Sequence, residues 1–227
     1  MADDKEADYW ERCWRKEIPK ELTRYLSGYK NLKNEVIDIF LNHQIVSGSG
    51  AKPRKIRKIC DAACGFGAYS LAFASNGFET SGFDVSQSAV DFTKKGLEEY
   101  GIDSSDYKVA DIRDTGYPDG TFDACIAHAV IDHLTADDAR KAIRELSRIT
   151  EKGGLIFVSF DDAEPEDYAC SHKMIEPGTM LYDEGERSGM LFHPYEWEEI
   201  AEFFQKYEII YRCTNRRNEK NVIIRKG

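Results

Sequence analysis

The apolar and polar positions along this chain form two kinds of pattern, one typical of β-strands and one typical of α-helices. Short apolar runs typical of buried strands fall at residues 56–60, 78–83, 107–110, 121–127 and 155–160. Stretches with helical spacing follow most of these runs, notably at residues 68–76, 86–100 and 135–150. Strands that alternate with helices in this way predict a doubly wound α/β sheet. Two last extended segments, 208–213 and 221–225, predict a closing hairpin around residues 215–218.

Two regions depart from this alternation. Residues 4–45 have helical spacing throughout, so we predict a helical cap over residues 1–50 and a sheet domain over residues 51–227, joined by a linker at 44–53. After the fifth strand, acidic residues crowd positions 161–167 and a Pro/Gly-rich segment continues to Gly189. We expect an insert at about residues 162–192 that recognises an acceptor or is merely a solvated lid.

The stretch from residue 56 to residue 84 carries the most specific chemistry. Asp61 precedes a turn that contains Gly65 and Gly67, and the next strand ends in Asp84. A glycine turn between a strand and a helix lets a ligand approach the backbone closely. An acid about 20 residues further on is placed to meet ribose hydroxyls. The spacing therefore predicts a nucleoside pocket.

A dinucleotide is the less favoured nucleoside. Its fingerprint requires a third glycine, where this chain has Ser70, and it does not require the acid at Asp61. Bare amides at a helix start suit a pyrophosphate, whereas a carboxylate beside the turn suits a ligand with an ammonium group. An NAD-dependent oxidoreductase stays open as the alternative from a different class of enzyme.

The segment Asp-Ala-Ala-Cys-Gly-Phe-Gly at residues 61–67 resembles the first motif of class I S-adenosylmethionine (SAM) methyltransferases. In that family the glycine turn holds the amino-acid end of the cofactor. Val-Ala-Asp-Ile at residues 109–112 resembles the motif whose acid accepts the adenine amino group, and Asp-Gly-Thr-Phe-Asp at 119–123 is also similar to the family. The resemblance covers about residues 55–160. It implies a Rossmann-like, seven-stranded, mostly parallel sheet with an antiparallel C-terminal strand.

The same resemblance implies a set of cofactor-binding residues. Trp-Glu-Arg-Cys-Trp at residues 10–14 is similar to an N-terminal element of some thiol and thiopurine methyltransferases that helps to close the cofactor site, although the two Trp residues could simply staple the cap. For the acid at 111 the alternative role is to cap its own loop. The implied set is Trp14, Asp61, Ala63, Cys64, Gly65, Gly67, Asp84, Val85, Ser86, Asp111, Ile112 and His128.

His133 is the candidate for a general base, because an unperturbed imidazole titrates near pH 6.5. The alternative is a helix cap or packing residue, and His193 and His172 follow it as candidates. Some O-methyltransferases bind a metal at this loop through Glu-x-x-Glu-His. The corresponding residues here are Ala129, Asp132 and His133, so the first ligand is missing and we predict no metal.

Composition narrows the function further. The chain has 227 residues and a formal net charge of −10, which argues against sequence-independent binding of nucleic acid, despite a local basic patch at residues 52–58. No apolar run approaches the roughly 18 residues that span a bilayer. We expect no secretory signal from the polar N-terminus, and the six cysteines form no CxxC pair. These features predict a cytoplasmic protein with reduced thiols.

The sequence as a whole predicts a SAM-dependent methyltransferase that acts on a small-molecule acceptor through a thiol, metalloid, amine or hydroxyl group. The alternatives are a protein or RNA acceptor, the NAD-dependent oxidoreductase, and a non-catalytic module that binds SAM. The acidic net charge counts against RNA. The identity of the acceptor and the oligomeric state do not follow from the sequence.

Overall fold

The computed structural model describes residues 4–16, 22–46 and 52–227, and predictions for the remaining positions lie outside the described residues. The helices are α1 (Asp4–Lys16), α2 (Leu22–Lys30), α3 (Glu35–Asn42), α4 (Ala68–Ser75), α5 (Gln87–Glu99), α6 (Ala136–Ile149), α7 (Pro165–Ala169) and α8 (Trp197–Phe204). The strands are β1 (Gln44–Ile45), β2 (Arg54–Lys55), β3 (Lys58–Ala62), β4 (Glu79–Asp84), β5 (Tyr107–Val109), β6 (Phe122–Ala127), β7 (Thr150–Phe160), β8 (His172–Glu176), β9 (Thr179–Tyr182), β10 (Leu191–Phe192), β11 (Glu208–Thr214) and β12 (Lys220–Arg225).

The main sheet contains seven strands in the order β11-β12-β7-β6-β3-β4-β5. The pairs from β7 to β5 are parallel, whereas β12 is antiparallel to both β7 and β11. This topology confirms the predicted doubly wound sheet and its antiparallel C-terminal strand. The chain reverses direction across the sheet between β3 and β6. In open α/β sheets such a switch point, at the carboxyl ends of the strands, is where ligands bind.

Helices cover both faces of the sheet, and the alternation of side chains along β7 shows how. Ile156 and Val158 belong to a core shared with α6 and α8. Leu155 and Phe157 belong to the core on the other face, with residues of α3 and α4. Because successive strand residues point to opposite faces, a strand buried on both sides reads as a continuous apolar run.

Several element boundaries differ from the predictions. The apolar spacing from His193 onward predicts a last helix that starts there, whereas the helix begins at Trp197, where Glu196 and Glu199 form a capping box. His193 is held in the preceding segment because its N–H donates to the Asp132 carbonyl at 2.7 Å. The fifth strand of the sheet begins already at Thr150, five residues before the predicted start.

The predicted linker and insert both contain regular structure. Gln44 and Ile45 pair with Lys55 and Arg54 in a two-stranded ribbon, so the ends of the linker are strands, while residues 47–51 lie outside the described part. The insert after β7 contains α7 and a separate sheet in the order β10-β9-β8. This small sheet buries Met180, Tyr182 and Phe192.

Acidic partners neutralise several charges of the basic patch around β2. Arg54 pairs with Asp123 at 2.6 Å and also with Glu151, and Arg57 pairs with Glu79 at 2.7 Å. A patch paired in this way offers little net positive charge. Among the described helices, none combines the length and the hydropathy needed to cross a bilayer.

Candidate functional site

The turn after β3 forms the floor of the site. Asp61 is buried in the last part of β3, and the Ser70 hydroxyl donates to its Oδ2 at 2.5 Å. Burial raises the pKa of Asp61 to about 6, against the effect of the hydrogen bonds from Ser70. Ala63 and Gly65 follow with φ angles of 60° and 51°. This left-handed backbone is rare for a residue with a side chain, and such strain often occurs at functional sites.

The two glycines of the turn have different neighbours. A Cβ at Gly65 would lie 2.8 Å from Cη2 of Trp14, a ring of α1 that lines the cavity. A Cβ at Gly67 would instead lie 2.8 Å from the Thr93 side chain in α5. Gly65 therefore permits close approach at the site, whereas Gly67 permits α4 and α5 to pack together.

Asp84 lies at the end of β4 and organises the turn. Its Oδ2 accepts the Gly65 N–H at 3.0 Å, and its Oδ1 accepts the Ser86 N–H at 3.0 Å. Burial raises the pKa of Asp84 to about 6, against these backbone hydrogen bonds. Ser86 caps α5, where its Oγ accepts the N–H of Ala89 at 3.1 Å. The acid thus joins the glycine turn to the start of α5.

Asp111 follows β5 at the same edge of the sheet, and its carboxylate binds Arg113. The guanidinium Nε donates to Oδ1 at 2.9 Å and one terminal nitrogen donates to Oδ2 at 2.9 Å. The other terminal nitrogen lies 2.7 Å from Asp138 and 3.3 Å from Glu6 of α1. Burial raises the pKa of Glu6 to about 6, against the attraction of Arg113. Three carboxylates from three elements therefore share one cation.

These elements enclose a cavity of about 240 Å³. Of the predicted site residues, it is lined by Trp14, Asp61, Ala63, Cys64, Gly65, Asp84, Val85, Asp111, Ile112, His128 and His133. Gly67 and Ser86 do not line it. Gly67 lies against Thr93 of α5, and Ser86 donates its N–H to Asp84, which does line the cavity. The structure therefore brings the three strand-end acids, the glycine turn and two histidines to one place.

Other wall residues were not predicted from the sequence. They include Glu6 from α1, Tyr25 and Tyr29 from α2, Tyr69 from α4, and Arg113, whereas Trp10 belongs to the segment 10–14 whose resemblance already pointed to the cofactor site. Two of the pairs carry a signal in retrospect, because 10 and 14, and 25 and 29, are each four residues apart and so share a helix face. The ion pair between Arg113 and Glu6 has no such signal in the sequence, because the two residues are far apart along the chain.

His128 and His133 lie on the segment after β6. The His128 ring packs on Tyr69, with ring centroids 4.6 Å apart, and burial lowers its pKa, which favours the neutral imidazole. His133 ends a short 3-10 turn, Ile131–His133, and its Nδ1 lies 2.8 Å from the Leu191 carbonyl oxygen. A carbonyl only accepts, so Nδ1 carries the hydrogen and in the neutral ring Nε2 is the acceptor.

The other histidine candidates have different surroundings. His193 is buried and stacks on Tyr195 at 3.8 Å, and the His172 Nδ1 lies 2.8 Å from the Cys170 carbonyl. Neither lines the cavity. Asp132 is fully buried and accepts the Asp161 N–H at 2.9 Å. No group of three or more His, Cys, Asp and Glu side chains in the described ranges is arranged to hold a metal ion.

A second cavity of about 850 Å³ adjoins the first and shares His133 with it. Its other walls come from α1, from the exit of β7, from the insert and from Arg217 and Glu219 in the turn between β11 and β12. Within the described ranges, three of its seven acids form ion pairs: Asp162 lies 3.2 Å from Lys220, Asp167 binds Arg187, and Glu186 binds Lys16. Burial, together with the neighbouring Asp132, raises the pKa of Asp161 to about 6.

Comparisons with known proteins agree with this geometry. The model of the family described as a methyltransferase domain matches residues 60–158. The chain is 27% identical over 117 residues to the uncharacterised methyltransferase YcgJ of Bacillus subtilis, covering 52% of this chain and 45% of that protein. It is 31% identical over 107 residues to ajmaline N-methyltransferase of Rauvolfia serpentina, covering 46% of this chain and 36% of that protein. The chain thus spans about two fifths of the length of these relatives.

Solved structures agree on the fold. The PH0226 protein of Pyrococcus horikoshii superposes with a TM-score of 0.70 at 16% identity, covering 92% of this chain and 93% of that one. A SAM-dependent methyltransferase of Methanosarcina mazei superposes with a TM-score of 0.66 at 18% identity, covering 86% and 98%. Residues 60–158 thus match the family described as a methyltransferase domain, and the chain has the fold of these solved structures.

Proposed function

We propose that this protein uses SAM to methylate a small-molecule acceptor. The observation that carries the proposal is the convergence of Asp61, Asp84 and Asp111 on one cavity beside the turn at Gly65. Three acids delivered by three neighbouring strands, next to a backbone that tolerates close approach, suit a ligand with a ribose, an adenine and an ammonium group.

The donor set of the cavity fits SAM. Asp84 uses one lone pair of each oxygen for the Gly65 and Ser86 N–H groups, so further lone pairs are left to accept ribose hydroxyls. Asp61 provides a carboxylate for the ammonium group. Asp111 would receive the adenine amino group while Arg113 holds it in place.

When bound, SAM supplies the methyl group together with its own sulfonium leaving group. The protein then has to align the acceptor and exclude water, and alignment alone can supply about 7–11 kcal/mol of the barrier. The aromatic wall is suited to both tasks. Trp10 packs on His133 with centroids 4.9 Å apart, and Trp14 packs on Phe66 with centroids 4.6 Å apart. Such a wall is apolar and stiff, so it excludes water from the point of transfer.

His133 is the proposed general base where the acceptor must lose a proton. Its Nδ1–H is bound to the Leu191 carbonyl, which fixes the ring and leaves Nε2 with a lone pair. The ring lies in the wall of both cavities, so a group bound in the second cavity would meet it on the way to the cofactor. A thiol near neutral pH needs little such help, whereas an alcohol or a protonated amine needs it.

The second cavity is the proposed acceptor site, and its size suits a small molecule rather than a folded partner. The relative named for N-methylation of ajmaline supports the same class of acceptor. Several of its walls belong to the insert, so the insert is proposed to recognise the acceptor and not to be merely a solvated lid. Its walls carry more acids than bases, as does the whole chain, with a net charge of −10, and this favours neutral or cationic acceptors over phosphorylated ones.

Two measurements test the proposal. Isothermal titration should show binding of S-adenosylhomocysteine (SAH), and Asp84→Ala should abolish it, since the variant leaves the Gly65 and Ser86 amides without their acceptor. A panel of thiols, amines, phenols and metalloids, incubated with SAM, should release SAH with at least one member. Binding of SAH without turnover of any member would instead support a non-catalytic module, and binding of NAD alone would support an oxidoreductase.

A matched pair of variants tests His133. In His133→Asn the side-chain amide can still donate to the Leu191 carbonyl, but it has no group at the position of Nε2. We expect turnover to fall by about 10²–10⁴ for an acceptor that must lose a proton, with SAH affinity unchanged. The control is His172→Asn, where the ring makes the same kind of bond to a carbonyl but lines neither cavity. Equal rates in the two variants would contradict the assignment.

A further inference from the structure

Helix α1 forms part of the wall of both cavities, with a different face toward each. Glu6, Trp10 and Trp14, spaced by four residues, line the first cavity. The residues that line the second cavity recur at intervals of three and four; they are Tyr9, Arg12, Cys13 and Lys16. Residues at such intervals share one face of a helix. A displacement of α1 would therefore change the shape of both cavities at once.

Glu11 lies on a third side of α1 and fastens the helix to the start of α5. Its carboxylate accepts three hydrogen bonds: from the Ser86 hydroxyl at 2.6 Å, the Ser88 hydroxyl at 2.6 Å and the Ser88 N–H at 3.1 Å. These bonds outweigh the effect of burial and lower the pKa of Glu11 to about 2. The carboxylate is thus charged at neutral pH, and it sits at the positive N-terminal end of α5.

This attachment is connected directly to the cofactor cavity. Ser86 donates its N–H to Asp84 and its hydroxyl to Glu11. The acid proposed to hold the ribose and the acid that fixes α1 are therefore joined by a single residue. A ligand that orders Asp84 and the start of α5 also stabilises the contact that Glu11 makes.

The opposite face of α1 is attached to the rim of the second cavity. Arg12 donates to the Ser188 carbonyl at 2.8 Å, and Lys16 pairs with Glu186. A Cβ on Gly189 would lie 3.6 Å from Cβ of Tyr9. Residues 186–189 are part of the insert and lie outside the wall of the first cavity. The helix therefore bridges the cofactor site on one side and the acceptor rim on the other.

We infer that Glu11 is a positioning residue: it holds α1 as the common wall of the two cavities, so that binding of the cofactor orders the rim of the acceptor site. This inference rests on the proposed function, which supplies the ligand of the first cavity. It adds a positive coupling between the two sites, because the rim of the acceptor site becomes ordered when the cofactor binds. Positive coupling of this kind is reciprocal, so an acceptor would tighten cofactor binding by the same factor.

Hydrogen exchange measured by mass spectrometry, with SAH as the probe, tests the inference on the full chain. In the wild-type protein SAH should slow exchange in residues 4–16 and also in residues 185–189. In Glu11→Gln one of the three donors loses its acceptor, so SAH affinity should fall about tenfold and protection of both segments should decrease. Ser88→Ala removes a hydroxyl from the other side of the contact and should reproduce the effect.

Two further variants separate coupling from a general loss of stability. Arg12→Gln should keep SAH affinity and the protection of residues 4–16 but reduce the protection of residues 185–189, since one of the two contacts of the second attachment is removed while Lys16 still pairs with Glu186. Glu202→Gln, on the exposed side of α8, removes the same charge and should behave as wild type. The melting temperature of each variant shows that it is folded.

The outcomes distinguish this inference from the proposed function. If SAH binds wild type and Glu11→Gln equally, or protects residues 4–16 but never residues 185–189, the coupling is refuted while the proposed function stands. If wild type does not bind SAH, both fail. Loss of protection at residues 185–189 in Glu11→Gln, in a chain whose melting temperature is unchanged, supports the inference.

Discussion

Replacing Gly65 with Ala tests whether the glycine turn and Trp14 together shape the cofactor cavity. Gly65 has a φ of 51°, and the left-handed backbone costs a residue with a Cβ about 1–2 kcal/mol. The new Cβ would also lie 2.8 Å from Cη2 of Trp14. Real Cβ atoms do not approach other atoms so closely, so the indole ring has to move.

The expected loss of affinity follows from what the ring contacts. Trp14 packs edge-on against Phe66 with centroids 4.6 Å apart, and such a pair contributes about 0.5–1.5 kcal/mol beyond its buried area. Displacing the ring also opens the cavity wall to water. We expect SAH affinity to fall about tenfold, which corresponds to about 1.4 kcal/mol. Separately, the backbone strain should lower the free energy of unfolding by about 1–2 kcal/mol.

Gly77→Ala is the matched control. Gly77 has a φ of 89°, and within the described part of the chain its Cβ would meet no heavy atom within 4 Å. It should therefore lose stability to a similar degree and keep full SAH affinity. Isothermal titration gives the affinities and urea unfolding gives the stabilities. An unchanged affinity in Gly65→Ala, or an equal loss in both variants, would refute the reasoning.

Three other outcomes follow from the burial of charged and thiol groups. Because burial raises the pKa of Asp61 and Asp84 to about 6, their contribution to stability is fully present below about pH 4 and is lost as the pH rises through 6. Asp84→Asn should therefore reduce the change of the unfolding free energy with pH over this range, as urea unfolding can measure. An unchanged pH dependence would contradict this reasoning. Arg113→Met leaves three carboxylates without their shared cation, so the unfolding free energy should fall by about 3–5 kcal/mol, and a value within error of wild type would show that the network contributes little. Cys60 and Cys64 are buried and burial raises the pKa of both thiols, so neither should react with iodoacetamide in the folded chain, as peptide mapping can check.

The sequence was sufficient to predict which acids converge. Asp61, Asp84 and Asp111 each follow or end a short apolar run, and parallel strands bring their carboxyl ends to one edge. That reasoning needs only the order of elements and the direction of the strands. The seven strands and the antiparallel C-terminal strand were instead implied by the resemblance to class I methyltransferases, and the hairpin predicted from the last two runs fits them.

The rest of the site depends on contacts between distant segments. Nothing near Asp111 in the sequence indicates that Arg113 is also shared with Glu6, more than one hundred positions away. The difference between Gly65 and Gly67 depends in the same way on which helix packs over each glycine. Only the fold brings these partners together, so local patterns carry no trace of them. The last helix starts later than its sequence pattern predicts for a related reason, since a long-range hydrogen bond to Asp132 holds His193 outside it.

The position of β12 has a consequence for how the chain folds. This strand lies between β7 and β11, and Val222, Ile223 and Ile224 are almost fully buried there. Until residues 220–225 have left the ribosome, β7 and β11 have an unfilled gap between them, and the edge of β7 is open to pairing with another chain. Nascent chains stalled just before this point should therefore be prone to aggregation, and deleting these few residues should be far more damaging than their number suggests.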